Sequence, residues 1–187
     1  EYAAELIPRL GVIARRMAEE GPFDPLYDIT FTTVHTGVIS GGTALNIVPR
    51  DCSFEFEFRH LAEVDPGKLL KEITDFSRDN LEPRMKMVQS GTGFSFEQIS
   101  TIPALNLTGD EEIVNLAKAL TGQNDHAKVA YGTEAGLFQT RAGIPTVICG
   151  PGRIAEAHKP DEFVSLEQVS LCEDFIHRLI DHVCARK

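Results

Sequence analysis

Apolar residues near the start of the chain recur at the spacing of an amphipathic helix. In the stretch EYAAELIPRLGVIARRMAEEG they fall on one helical face, and Gly21 ends the run. Pro8 lies inside this stretch and has no backbone N–H to donate. We therefore expect the helix either to kink at Pro8 or to begin near Ile7.

Two strands, a second helix and a third strand are predicted next. The stretch YDITFTTVHTGVISGG is rich in β-branched residues, and residues 52–59, CSFEFEFR, alternate strictly between apolar and polar. Gly41 and Gly42 supply a turn, so the two strands are expected to pair as a hairpin with one solvated face. Asp65 is the expected N-cap of the second helix, and residues 85–89 are expected to form the last strand.

The order helix, strand, strand, helix, strand predicts an α+β module of the ferredoxin-like βαββαβ type whose first strand is missing. Because such a two-layer sandwich would lack a strand, we expect residue 1 to lie inside a larger natural protein. From about residue 103, helices alternate with the short apolar stretches AKVAYG and PTVICG, which indicates an α/β layer with a buried, largely parallel sheet. The predicted domains are residues 1–101 and 102–187, and the predicted fold class of the whole chain is α/β.

The last predicted helix, SLEQVSLCEDFIHRLIDHVCARK, is amphipathic. Asp174, His177 and Asp181 share one face and could imitate a cluster of metal ligands, but we interpret them as a solvated polar face. The opposite stripe is expected to be buried, and it consists of Val169, Cys172, Ile176, Leu179, Ile180 and Val183.

Charge and cysteine usage limit the classes of partner and the compartment. The formal net charge of −10, from 28 acidic and 18 basic residues, disfavours a polyanionic partner, so no nucleic acid is expected. No apolar run is long enough for a membrane span, so no membrane partner is expected either. The scattered cysteines form no CxxC pair and are expected to be buried free thiols in a reducing cytoplasm; they are Cys52, Cys149, Cys172 and Cys184.

Two segments would lie where α/β proteins bind ligands, beyond the carboxyl ends of strands. In YGTEAG, Gly132 allows a turn, and Thr133 either merely caps the next helix or begins a helix whose free N–H groups hold a carboxylate. In GPGRIAEAHKPDEFV, His158 is either solvated or a metal ligand oriented by neighbouring carboxylates. A zinc site needs several ligands, and no HExxH or His-x-Asp motif supplies the others.

Arg59 and Asn46 are candidates for substrate contacts. Arg59 lies on the polar face of its strand, where Glu55 and Glu57 could pair with it or leave it free to bind a carboxylate. Asn46 follows the double glycine, so its amide either stabilises the turn or projects as a donor toward a ligand. The residues alone leave both alternatives open.

Three stretches carry a resemblance to a known family. GGTALNIVPRDCSFEFEFRH, YGTEAGLFQTRAGIPTVICGPG and EAHKPDEFV resemble, in that order, segments of the dinuclear zinc amidohydrolases and peptidases, a family that includes acetylornithine deacetylase, succinyl-diaminopimelate desuccinylase and carboxypeptidase G. Within that family the likeness is to the acetylornithine deacetylase branch. It covers essentially the whole chain, and the order of the motifs is more specific than any one of them.

The resemblance implies a lid, or dimerisation, domain over residues 1–101 and the last segment of a metallohydrolase catalytic domain over residues 102–187. It implies that His158 closes a metal site that holds two zinc ions, or cobalt, in the intact enzyme. The family's other metal ligands and its general base correspond to positions upstream of Glu1. We therefore expect this chain alone to bind no metal and to be inactive.

The resemblance also implies substrate contacts and an activity. The expected substrate-contacting residues are Asn46, Arg59, Gly132, Thr133 and Glu134. In the family, the residues that match Asn46 and Arg59 often act across a dimer. The implied substrate is a small N-acyl amino acid, and the implied reaction removes the acetyl group from N-acetylornithine, in arginine biosynthesis, by a homodimer joined through the lid. The alternatives are a dipeptidase or aminoacylase of the same family, or a dimerisation module without catalysis.

Overall fold

The computed structural model describes residues 1–109, 111–157 and 159–185 of the chain. Two compact units are found: unit 1 consists of Glu1–Ala104 and Ala127–Gly132, and unit 2 of Leu105–His126 and Thr133–Lys187. The chain therefore returns once to unit 1 before it completes unit 2. None of the described helices is both long enough and apolar enough to cross a membrane.

Unit 1 combines helices with a two-stranded antiparallel sheet, which confirms the predicted α+β class of this part. Its elements are α1 (Tyr2–Glu20), β1 (Thr33–Gly41), β2 (Cys52–Arg59), α2 (Pro66–Phe76), a π-helical turn (Ser77–Leu81) and α3 (Glu82–Val88).

The core of unit 1 follows from the apolar face of α1. Leu6, Leu10 and Ile13 are almost fully buried because one side of this helix faces both strands and α2. The remaining members of the buried cluster are Met17, Val34, Leu69, Ile73 and Leu81.

The hairpin predicted from the alternating pattern is confirmed. β1 and β2 pair from Thr33 opposite Arg59 to Gly41 opposite Cys52, and residues 42–51 connect them. The three phenylalanines of β2 are half-buried against the core, whereas the two glutamates between them are exposed. The ribbon formed by the two strands therefore has one apolar face and one solvated face, as the sequence predicts.

The first helix tolerates its proline. α1 begins at Tyr2 and contains Pro8, so the alternative start near Ile7 is wrong. The first turn forms because Glu5 N–H donates to the Glu1 carbonyl at 3.2 Å, and the proline removes only one backbone donor from the helix.

The prediction for the second helix is confirmed, but the one for the last strand is wrong. Asp65 caps α2 as predicted, through its side chain. Residues 85–89, predicted as a strand, instead fall largely in α3, Glu82–Val88. Glu, Met, Lys and Arg are strong helix formers, and Lys86 pairs with Glu82 one turn earlier, which favours the helix.

Unit 2 is helical in its described part. Its helices are α4 (Glu112–Thr121), α5 (Ala135–Ala142) and α6 (Leu166–Ala185). The strand predicted over residues 145–150 is not formed, nor is the one predicted over residues 127–132, which belong to unit 1. A strand needs a partner strand in a sheet, and within the described ranges neither segment pairs with a strand.

Helix α6 packs on α4 through a face that shares Leu179 with the predicted stripe but not most of its other members. Phe175 and Leu179 of α6 line an apolar pocket with Leu116 and Leu120 of α4, and Arg178 Nη1 donates to the Leu120 carbonyl at 2.9 Å. The predicted buried stripe is wrong, because apolar residues cover more than one face of α6 and the pattern alone does not choose between these faces. Its exposed members are Val169, Ile176, Ile180 and Val183.

The four cysteines are free, as predicted, but their predicted burial is wrong. Cys52, Cys149 and Cys184 are exposed, and Cys172 is half-buried. Cys149 lies in the segment predicted as a strand; it lines the apolar pocket between α4 and α6, and burial raises the pKa of its thiol, but the residue as a whole is exposed.

Candidate substrate site

Arg59, the last residue of β2, has a guanidinium group held from two sides. Nε donates to Glu57 Oε1 at 2.9 Å, and Nη1 donates to the Ala130 carbonyl at 2.9 Å. About half of the side chain is exposed, and no described residue forms a hydrogen bond with Nη2. The guanidinium is therefore fixed in direction while one of its edges stays open to solvent.

Glu57 also joins Arg59 to a histidine that sequence reasoning missed. His35 lies in β1, and the register places it opposite Glu57 of β2. His35 Nδ1 lies 3.5 Å from Glu57 Oε1 on the solvated face of the ribbon. The signal that could have found this pair is the alternation itself, once the hairpin register is known.

Gly132 ends the segment that returns to unit 1, two residues after the carbonyl that Arg59 contacts. A Cβ atom at Gly132 would lie 2.8 Å from Ile102 Cδ1, so a larger residue here would require the end of the Ile102 side chain to move. Two of the predicted substrate residues, Arg59 and Gly132, thus lie in the same part of unit 1, because Arg59 contacts the segment that ends at Gly132.

Thr133 and Glu134 stand at the start of α5. Thr133 Oγ1 accepts a hydrogen bond from the Ala135 N–H at 3.2 Å, so Thr133 contacts the first turn of α5, although Glu134 occupies the N-cap position. The Glu134 side chain makes no capping hydrogen bond and is exposed. The substrate contacts expected of both residues stay predictions.

Asn46 lies far from Arg59 within one chain. It occupies the exposed connection between the strands, beside a turn in which Ile47 N–H donates to the Ala44 carbonyl at 3.2 Å. Arg59 is at the opposite end of the ribbon, and the length of β2 separates the two ends by roughly 23 Å at the usual rise of a strand. One copy of the ribbon therefore cannot present both side chains to the same small molecule.

The same connection and the neighbouring part of β1 expose a group of aliphatic side chains. We call this group the hairpin patch, and it consists of Val38, Ile39, Leu45, Ile47 and Val48. Single exposed apolar residues are ordinary, but five of them in one connection and the strand beside it offer apolar surface on which a partner could pack.

A family model for the peptidase dimerisation domain matches residues 1–85, which include α1, both strands, α2 and most of α3. The hairpin patch and Arg59 therefore lie in the part of the chain that matches a peptidase dimerisation domain, and the resemblance proposed from the sequence motifs is confirmed.

The chain is also similar to several bacterial acetylornithine deacetylases. It is 32% identical over 170 residues to the one from Photorhabdus laumondii subsp. laumondii, a match that covers 91% of this chain and 42% of that protein. The identity to the Myxococcus xanthus protein is 30% over 184 residues, covering 97% of this chain and 46% of that protein. The chain thus spans less than half the length of the curated relatives it matches, and the similarity continues well beyond the peptidase dimerisation domain.

The described residues do not by themselves form a metal centre. Within residues 1–109, 111–157 and 159–185, no group of three His, Cys, Asp or Glu side chains is placed to hold an ion. His158, the predicted metal ligand, lies outside the described residues. The donor set that the structure describes therefore does not fit a dinuclear zinc site, and we derive no reaction step through a metal.

Proposed function

We propose that this chain is the lid and the last catalytic-domain segment of a metal-dependent amidohydrolase that removes the acetyl group from N-acetylornithine. The observation that carries the proposal is the similarity to proteins named acetylornithine deacetylase over more than nine-tenths of the chain. In this proposal, residues 1–101 form the lid and residues 102–187 belong to the catalytic domain. The free cysteines support a cytoplasmic location, where such a step of arginine biosynthesis would take place.

Arg59 is the residue we propose to hold the carboxylate of the amino-acid substrate. A guanidinium is the natural partner of a carboxylate, and the open Nη2 edge of Arg59 is available for such a contact. The family resemblance adds Gly132 and Thr133 to the carboxylate-binding loop and places Glu134 at the acidic position typical of the deacetylase branch.

We further propose that Asn46 serves the substrate site of a second copy. The separation along the ribbon prevents Asn46 and Arg59 of one chain from reaching the same substrate. The hairpin patch beside Asn46 offers apolar surface for a partner copy, and the peptidase dimerisation domain match supports a homodimer formed through this unit. Each site of the dimer would then take Arg59 from one copy and Asn46 from the other.

The metal requirement rests on the family resemblance alone. Zinc, or cobalt in its place, would be held by His158 together with ligands that the family carries upstream of the position equivalent to Glu1. We accordingly expect the 187-residue chain alone to be inactive and to retain no stoichiometric zinc.

The proposed activity is tested by turnover of the protein encoded by the complete reading frame, loaded with zinc or cobalt. We expect it to hydrolyse N-acetylornithine with a kcat/KM at least about tenfold higher than for a dipeptide or an N-acylated apolar amino acid. A preference for the dipeptide would favour the dipeptidase alternative, and a preference for the apolar substrate would favour an aminoacylase. Either result would overturn the proposed substrate.

A second candidate is a dimerisation module without catalysis. The match of residues 1–85 to the peptidase dimerisation domain favours it, as does the lack of a metal-ligand group within the described residues. Sedimentation and turnover separate the two: a tight dimer of the complete encoded protein that hydrolyses no N-acyl amino acid would support the module, whereas metal-dependent hydrolysis would eliminate it.

A further inference from the structure

Residues 127–132, which we call the return strap, contact the rest of unit 1 through Lys128 and through the Ala130 carbonyl. The Lys128 N–H donates to the Leu26 carbonyl at 3.0 Å, and Lys128 Nζ donates to Asp24 Oδ2 at 2.7 Å. Nζ also lies 5.7 Å from the centroid of the Tyr27 ring, within range of a cation–π interaction. A short segment of unit 1, residues 24–27, thus binds both the backbone and the side chain of one strap residue.

This attachment differs from the surface ion pairs of the chain. The side chains of Lys128 and Asp24 are only 17% and 21% exposed, so solvent screens their attraction less than that of an exposed pair. Desolvation opposes the charged form of Asp24, but hydrogen bonds from Lys128 and the Leu26 N–H outweigh it and hold the pKa of the carboxyl below its usual range. Burial raises the pKa of Tyr27, which keeps the phenol neutral beside the ammonium group.

The strap carries the carbonyl that orients Arg59. Ala130 lies two residues after Lys128, and its carbonyl accepts the Nη1 hydrogen bond, while Glu57 accepts the one from Nε. If the strap moves, Arg59 loses one of its two acceptors and the guanidinium can rotate away from its present direction. The position of the open Nη2 edge therefore depends on Lys128, although Lys128 itself does not contact Arg59.

We propose that Lys128 is a positioning residue: by fixing the return strap to residues 24–27 it fixes the Ala130 carbonyl and thereby aims Arg59. The claim that this orientation of Arg59 serves a substrate carboxylate rests on the proposed function. The effect of Lys128 on the orientation of Arg59 does not. Lys71 of α2 provides a matched control, because its ion pair with Asp75 is highly exposed and has no link to the strap.

The first test follows the Arg59 Nε–H resonance by NMR in the 187-residue chain, assigned with an Arg59→Lys variant. Lys128→Met should move this resonance and speed its proton exchange with water about tenfold, as expected when an ordering contact is lost. Lys71→Met should leave the resonance unchanged, and Lys128→Arg, which keeps the cation, should restore it. An Arg59 resonance identical in Lys128→Met and wild type would overturn the proposal.

Two further readouts keep the result decisive. If Lys128→Met does not fold, Asp24→Asn replaces it, because the amide oxygen still accepts from the Leu26 N–H while the charge and the acceptor that face Lys128 Nζ are lost. In the complete encoded protein, Lys128→Met should raise KM for the N-acyl amino acid about tenfold with kcat within about twofold, the pattern of lost uniform binding. A displaced resonance with unchanged KM would overturn the functional half of the proposal. Absence of turnover by the wild type would count against the proposed function only, since the NMR result decides the positioning.

Discussion

Arg16 on α1 and Glu72 on α2 form a two-point ion pair, with Nη2 to Oε2 at 2.7 Å and Nη1 to Oε1 at 3.2 Å. Arg9, two turns earlier on α1, donates to the same Oε1 at 2.6 Å. The hydrogen bond from Arg16 lowers the pKa of Glu72 despite partial desolvation of the carboxylate. One carboxylate thus joins two turns of α1 to α2, above the buried face that the two helices share.

Glu72→Gln should therefore destabilise unit 1. The substitution keeps the size of the side chain but removes the charge that two guanidiniums share, and we expect a loss of about 1–2 kcal/mol in the free energy of unfolding. Asp75→Asn on the same helix is the control, because its partners Lys71 and Arg78 are mostly exposed and the expected loss is below about 0.5 kcal/mol. Urea denaturation measures both. Equal losses in the two variants would contradict the role given to Glu72.

The buried face of α1 should contribute more than any ion pair. Ile13 is fully buried, and Ile13→Ala should lower the free energy of unfolding by about 2–5 kcal/mol because it leaves a cavity in the core. Val12, the preceding residue, is 40% exposed, so Val12→Ala should change it by about 0.5 kcal/mol or less. Urea denaturation in which the two variants are equally stable would show that this face of α1 is not the core.

Glu111 makes the start of α4 sensitive to acid. Hydrogen bonds from the backbone, first of all the Thr108 N–H, lower the pKa of Glu111 from 4.5 to about 2. Because the folded-state pKa is depressed, the stabilisation is present above pH 4.5 and is lost as the pH falls toward about 2. An NMR titration of the Glu111 carboxyl carbon should show this midpoint, and Glu111→Gln should remove the acid-dependent part of the stability of α4. A midpoint near 4.5 would contradict the observed hydrogen bonds.

The sequence correctly predicted the parts of the fold that depend on residues close to one another along the chain. The apolar face of α1, the Asp65 cap and the alternation of β2 each depend on neighbours a few residues away, and all three are found in the structure. The predicted strands over 127–132 and 145–150 depended on sheet partners, which a short apolar run cannot reveal. For α6 the sequence allowed several apolar faces, and only the packing on α4 decides between them.

In the candidate site, too, some features follow from a local sequence pattern and others depend on residues far apart in the sequence. Arg59 could be selected because it lies on the polar face of an alternating strand. Its link to Ala130 spans 71 positions of sequence and depends on the return of the chain to unit 1, which no local pattern encodes. The pairing of His35 with Glu57 needed the hairpin register.

Arg59→Ala in the complete encoded protein should raise KM for N-acetylornithine by roughly tenfold or more with kcat nearly unchanged, because a carboxylate contact is made equally in the ground and transition states. Arg78→Ala is the control, since Arg78 is an exposed arginine of unit 1 that pairs only with Asp75 among the described residues. Steady-state kinetics of both variants give the comparison. Unchanged kinetics for Arg59→Ala would remove this residue from the substrate site.

The central claim, that two copies share each substrate site, is tested most directly by mixing two variants of the complete encoded protein. Asn46→Ala and Arg59→Ala should each have little activity at low substrate concentration. After subunit exchange, about half of the dimers are mixed and each has one intact site, so the account predicts about a quarter of the wild-type activity. Mixed dimers that are visible by native mass spectrometry but are no more active than the separate variants would contradict it.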